Sequence, residues 1–134
     1  KKKFIFNFDQ FSNEKKITKS IEIVYGLRNF IGNANKFSKG TVFINLKSDN
    51  EITQIIIEDD GNGYPKDVLS KIGEPYLKTN KPIEKSKIGL GLGLFIGKTL
   101  LEKNFASVNC RNSQTRSGAE VIIRWNNKDL FNIQ

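Results

Sequence analysis

The chain has 134 residues, 37% hydrophobic and 27% charged, with a net charge of +8, which makes one ordinary domain with enough apolar side chains for a single core. No apolar run approaches the roughly 20 residues of a membrane span, histidine is absent, and the one cysteine, Cys110, has no internal partner; these exclude Ser-His and Cys-His catalysis, histidine metal sites and an internal disulfide, and they suit a reducing compartment. The 22 lysines and arginines are scattered and never alternate with aromatic residues in a run, so neither nucleic acid nor a membrane is an expected partner of this chain.

The start is too short and too mixed for a signal peptide, and with no methionine at all the chain reads as a piece of a longer protein. Residues 3–8 alternate apolar and polar side chains, the pattern of an edge strand. Thr18 or Ser20 can cap a long helix that runs to about Phe37, with Ile21, Val24, Leu27, Phe30, Ile31 and Ala34 at helical spacing. Ser38-Lys39-Gly40 ends it, the glycine suiting a left-handed cap. Residues 41–47 and 52–59 are predicted strands joined by a turn. A Gly/Asn/Pro loop at 61–65 leads to a short helix over 65–72, and the polar, lysine-rich stretch 77–87 reads as a mobile loop. A second long helix is expected from about 91 to 103, then a closing pair of strands at 106–112 and 119–125. The sum is a single domain, residues 1–134, with a two-layer α/β sandwich: a mixed, mostly antiparallel sheet covered on one face by helices.

Three groups along this order can carry chemistry. The first helix holds Asn29, Asn33 and Lys36 at i, i+4 and i+7, opposite its apolar stripe. Two carboxamides and a lysine in one row suit an anionic, oxygen-rich ligand, since a carboxamide oxygen is a neutral hard ligand for Mg²⁺ and the lysine a point charge for phosphate. The same row also reads as a solvated polar face. Asp60-Gly61-Asn62-Gly63 follows the strand Ile55-Ile56-Ile57. A carboxylate at a strand end can accept a hydrogen bond from an exocyclic amine such as that of adenine, and glycines let backbone approach a flat ring; taken alone, these dipeptides read as a turn. Gly89-Leu90-Gly91-Leu92-Gly93-Leu94 opens the second helix, where bare N–H groups can face a phosphate. It is neither the dinucleotide fingerprint, because Leu94 stands where glycine is needed, nor a Walker loop, because Leu92 does.

In this order, a polar-faced helix, Asp-x-Gly-x-Gly, a mobile loop and Gly-x-Gly-Leu-Gly-Leu, the chain resembles the GHKL ATPase/kinase superfamily, which takes in histidine kinases, gyrase-type topoisomerases, Hsp90 chaperones and MutL-type repair proteins. The resemblance makes 27–38 the N box, 60–63 the first glycine box, 72–76 the F box, 77–88 an ATP lid, 89–94 the second glycine box and Gly118-Ala119 the last. Among histidine kinases it is most similar to the redox-responsive RegB/PrrB type, on Tyr25-Gly26-Leu27 with Asn29-Phe30, on Gly73-Glu74-Pro75-Tyr76, and on Gly91 to Ile96 running into Lys98-Thr99-Leu100-Leu101-Glu102.

The resemblance implies a Bergerat fold and binding of ATP with Mg²⁺. It makes Asn33 the metal ligand, Lys36 a phosphate ligand, Asp60 the adenine-specifying aspartate and Phe37 an aromatic beside the adenine. Gly61, Gly63, Tyr76, Lys78, Gly89, Gly91, Leu92, Gly93, Leu94, Gly118 and Ala119 would complete the nucleotide site, with Lys81, Lys85 or Lys87 as further lid candidates. Three positions depart from the pattern: Gly32 stands where an acid is common, Phe37 replaces a tyrosine, and Glu74-Pro75-Tyr76 replaces a phenylalanine pair. In the hydrolytic members a glutamate four residues before the metal asparagine acts as base on water; here that position is Asn29, which cannot be a base. The implied activity is therefore phosphoryl transfer to a histidine on the protein's own dimerisation domain, with a response regulator downstream, in the cytoplasmic part of a membrane-anchored sensor kinase. A regulatory nucleotide-binding module without transfer activity and a serine kinase of the anti-sigma-factor kind remain as alternatives.

Overall fold

The computed structural model describes residues 2–8, 20–70 and 85–130, without the side chains of Phe8 and of residues 85–92. Strand β1 (Lys3–Phe8) lies at the sheet edge, as its alternation predicts. Helix α1 (Ile21–Phe37) starts after Ser20, whose Oγ accepts the Ile23 N–H at 3.4 Å, so Ser20 is the cap. It stops where Ser38 turns extended while its N–H still reaches the Ala34 carbonyl at 3.0 Å. Gly40 is not in the left-handed conformation expected of it. The chain passes from Ser38 straight into β2 (Thr41–Ser48), so no left-handed reversal is needed.

Strand β3 (Ile52–Asp59) follows after a turn in which Asp49 Oδ1 accepts the N–H groups of Glu51 and Ile52, both at 2.8 Å. After the short α2 (Lys66–Leu69) and the long α3 (Lys85–Lys103), strands β4 (Ser107–Asn112) and β5 (Ala119–Asn126) close the sheet. The order is β1-β2-β3-β5-β4; β1 and β2 run parallel and the other pairs antiparallel, the mixed sheet expected. A last turn of helix, α4 (Asn127–Leu130), was not foreseen; Asn127 anchors it, accepting from Thr53 Oγ1 and donating to the Asp49 carbonyl, each at 2.7 Å.

Alternation divides the sheet into two faces. The inner face carries Val42, Ile44, Ile57, Val121, Ile123 and Trp125 against Phe30 and Ala34 of α1 and Leu94 and Leu101 of α3. Fully burying side chains of this size contributes about 1.5–3 kcal/mol each. The outer face is mixed: Phe43, Ile56 and Ile122 lie among polar pairs, with Arg111 paired to Glu120, Arg116 over the Phe43 ring at 3.7 Å and Arg124 bonded to Gln54. The two long helices press closely together: a Cβ on Gly97 would lie 2.8 Å from the Phe30 ring, and one on Gly26 2.7 Å from Leu101 Cγ.

One boundary differs in a way that matters. Helix α3 begins at Lys85, not near 91, so Gly89 and Gly91 lie within it and Lys85–Lys87 are not loop. Each glycine costs a helix about 1 kcal/mol, but the turns from Leu94 to Leu101 are already fixed against α1, and extension backward adds one hydrogen bond per residue. Of the predicted loop 77–87, residues 77–84 lie outside the described residues, and so do the F box 72–76 with Tyr76, Lys78 and Lys81.

Candidate functional site

The end of β3 and the loop after it are tied down from three sides. Asp59 is the last residue of β3 and pairs with Val42, so its side chain falls on the inner face. It is 3% exposed. Its Oδ1 accepts the Gly61 N–H at 2.8 Å and the Ala119 N–H at 3.3 Å, and Oδ2 has no partner among the described residues. Burial raises its pKa above the usual aspartate range, against the two backbone donors. Only glycine fits at the two neighbouring positions. A Cβ on Gly61 would collide with the Phe37 carbonyl, and one on Gly118 with the Asp59 carbonyl and Oδ1. Asn112 completes the frame from β4, accepting the Tyr64 N–H at 2.6 Å and donating to the Tyr64 carbonyl at 3.3 Å.

Asp60, the aspartate expected to read adenine, is placed otherwise. Its Oδ1 accepts three successive backbone N–H groups, Lys39 at 2.8 Å, Gly40 at 3.1 Å and Thr41 at 3.2 Å. Strand alternation explains the exchange: Asp59 is directed inward with Ile57, and the next residue turns away toward the α1–β2 connection. The signal for Asp59 was in the sequence. Counted strictly, the Asp of Asp-x-Gly-x-Gly that ends on Gly63 is Asp59.

On α1, Asn33 is packed against α3, where a Cβ on Gly93 would stand 3.1 Å from Nδ2 and 3.3 Å from Oδ1. Its Nδ2 is buried with no partner. An amide left so costs about 1–3 kcal/mol of desolvation, and a half-turn of the carboxamide exchanges donor for acceptor. Such a group fits a place beside an incoming polyanion and its cation. The described residues hold no group of three or more acidic, cysteine or histidine side chains placed to hold a metal ion, so a cation here would be held by Asn33, water and the ligand's own oxygens, the usual manner of Mg²⁺. Lys36 is exposed, its Nζ 5.3 Å from the centre of the half-buried Phe37 ring. Asn29 donates Nδ2–H to the Tyr25 carbonyl of its own helix at 2.8 Å. A Cβ on Gly32 would meet open space.

The structure thus brings Gly61, Gly118 and Ala119 to Asp59, Phe37 to Gly61, and Gly93 to Asn33. Gly63 adopts a positive φ of 81° beside Asn112. Leu94 is wholly buried in the core and has no surface to offer a ligand. Gly89, Gly91 and Leu92 lie on helical backbone, so the N–H groups expected to cradle phosphate from an open loop are instead within α3. Cys110 packs under Tyr64; burial pushes its thiol up to about 12, leaving no reactive thiolate.

Comparison with known proteins places this fold in a family. Residues 18–129 match the family described as histidine kinase-, DNA gyrase B- and HSP90-like ATPase. Sensor histidine kinase RegB of Cereibacter sphaeroides is 38% identical over 78% of this chain and 26% of its own length. Sensor protein kinase PilS of Pseudomonas aeruginosa is 34% identical over 69% of this chain and 18% of its own. The chain thus spans about a quarter or less of these curated relatives. Among solved structures, the mycobacterial sensor histidine kinase MprB superposes with a TM-score of 0.68 at 20% identity, covering 92% of this chain and 82% of that one. Full-length ShkA in complex with AMPPNP gives 0.64 at 25% identity, covering 91% and 25%. From its glycine-framed aspartate to its five-stranded sheet, the chain belongs to the histidine kinase-, gyrase B- and HSP90-like ATPase family, in the form found in sensor histidine kinases.

Proposed function

We propose that this chain binds Mg-ATP and presents the γ-phosphoryl group to a histidine on a dimerisation domain, for onward transfer to a response regulator. The observation that carries the reading is the Asp59 carboxylate: inward, with Oδ1 satisfied by backbone, Oδ2 without a partner among the described residues, and bare backbone at Gly61 and Gly118 beside it. An oxygen so held suits the exocyclic amine of adenine and disfavours the carbonyl that guanine carries there. Asp59, rather than Asp60, takes the role of adenine reader in this reading. The nucleotide-bound ShkA relative supports a nucleotide as the ligand.

Asn33 and Lys36 face the phosphate end. Mg²⁺ held by Asn33 would neutralise charge on the phosphates and orient them, and Lys36 adds a mobile positive charge. Phosphoryl transfer depends chiefly on such positioning and charge neutralisation. Asn29 is a carboxamide bonded to its own helix, so no side chain there takes a proton from water. That favours transfer to another nucleophile over hydrolysis. The histidine must be supplied by another domain, because this chain has none.

The test is calorimetry with ATP and GTP, followed by incubation with labelled ATP. ATP should bind in preference to GTP, and Asp59→Ala should weaken ATP by about tenfold or more, the worth of a hydrogen bond to a charged group. The chain alone should stay unlabelled and release phosphate slowly. Adding the dimerisation domain should label that domain's histidine. Rapid ATP turnover by the chain alone would instead support an ATPase.

A further inference from the structure

The carboxylate left over from the adenine reading has the larger set of backbone contacts. Asp60 Oδ1 gathers the N–H groups of Lys39, Gly40 and Thr41, three consecutive donors in the connection from α1 to β2. Successive N–H groups arranged in this way form an anion-binding concavity, and here the anion is the chain's own. The ladder explains why they need it. The β2–β3 pairing ends at Val42 opposite Asp59, and Thr41 has no backbone partner on β3, because the chain bends away at Asp60. Two further contacts converge on the same knot. Lys2 Nζ donates to the Ser38 carbonyl and, at 3.1 Å, to its buried Oγ. The Phe37 carbonyl presses on Gly61 so closely that no Cβ fits between them.

The two elements joined here carry the two halves of the site. The last turns of α1 bear Asn33, Lys36 and Phe37, and the end of β3 bears Asp59. We propose that Asp60 is a positioning residue that clamps the end of α1 to the end of β3, and so sets the phosphate-binding half at a fixed place relative to the adenine-binding half. The inference rests on the ATP reading above. Asp60 is suited to the task in its charge state. Although burial pushes its pKa up, the N–H groups of Gly40, Thr41 and Lys39 outweigh this and hold it below the usual aspartate range, so the clamp is ionised at neutral pH.

The experiment compares Asp60→Ala and Asp60→Asn with the unaltered chain in two readouts. The first is amide hydrogen exchange. Asp60→Ala should speed exchange at Lys39, Gly40 and Thr41 and in the last turn of α1, and leave β4 and β5 protected. The second is calorimetry with adenosine and with Mg-ATP. Adenosine, held chiefly at Asp59 with only Phe37 from α1 beside it, should lose clearly less affinity in Asp60→Ala than Mg-ATP does. Mg-ATP should bind about tenfold more weakly. Asp60→Asn keeps an acceptor oxygen at the same place and should restore most of the Mg-ATP affinity, which a general loss of stability would not explain. Unchanged exchange at the three amides, or equal loss of adenosine and Mg-ATP by a folded Asp60→Ala, would overturn the clamp. If the unaltered chain bound neither ligand, the ATP reading itself would fall, while the exchange data would still decide whether Asp60 holds the turn.

Discussion

At the first turn of α1 the polar groups are matched within the chain: Ser20 Oγ takes the Ile23 N–H, and Glu22 takes Lys103 at 2.9 Å and Asn104 at 3.5 Å. The Lys103 bond, with a smaller part from Asn104, also holds the Glu22 carboxyl below its usual pKa. Three turns later the same helix buries Asn33 Nδ2 with nothing to bond and extends Lys36 into solvent. Both ends rest on one core through Phe30 and Ala34. A helix end whose polar groups satisfy one another serves the fold. An end that keeps a buried amide unpaired carries a cost that folding alone does not explain, and this is where a ligand is expected.

The largest expected effect comes from the part the two ends share. Phe30 is 1% exposed and lies under Gly97 of α3, so Phe30→Ala should cost about 3–5 kcal/mol in a denaturant titration and loosen both ends together. If only one end loosened, α1 would not be a single packed unit. Next is Asn33→Ala, which should weaken Mg-ATP by about tenfold or more while leaving adenosine alone, with stability unchanged or raised because an unpaired amide is removed. Ser20→Ala should show the reverse signature, a loss of about 1 kcal/mol of stability with ATP affinity intact. Gly32→Ala should stabilise by about 0.5–1 kcal/mol, since its Cβ meets nothing and helix interiors disfavour glycine.

The smallest expected signal is in pH, and the neighbouring aspartates pull it in opposite directions. Asp60 has a lowered pKa in the folded chain, so its contribution is present above the ordinary aspartate value and is lost as pH falls through the lowered one. Asp59 has a raised pKa, so its ionisation subtracts stability as pH rises from the ordinary value through the raised one. Thermal melts of Asp59→Asn and Asp60→Asn across the acid range should therefore change slope with opposite signs. In the unaltered chain ATP affinity should decline as Asp59 takes up its proton, and in Asp59→Asn that decline should disappear.

Much of this was legible without coordinates. The alternation in β1, the 3.6-residue stripe on α1 and the turn residues between strands are local patterns, and each element appeared where its pattern lay. The glycines at 61, 63 and 118 were expected near the site, and the close contacts at Gly61 and Gly118 supply the reason. The polar, lysine-rich residues before Gly91 carry no local sign of helix, whereas packing of Leu94 and Leu101 against α1 extends α3 back to Lys85. α4 depends on Asn127 reaching Asp49 and Thr53, residues more than seventy positions away in the chain.

The sequence by itself determined the order and type of the elements, the face of α1 that is polar, the absence of histidine and a carboxamide rather than a carboxylate at position 29, because these follow from residue type and short-range spacing. The tertiary structure alone decided which of two adjacent aspartates faces inward, that the Asn33 amide lies against Gly93 with its Nδ2 buried, and that β5 rather than β4 lies beside β3. Each of these is a contact between segments remote in the chain. Its outcome is set by how strands register and helices cross, and no local window of residues holds that information.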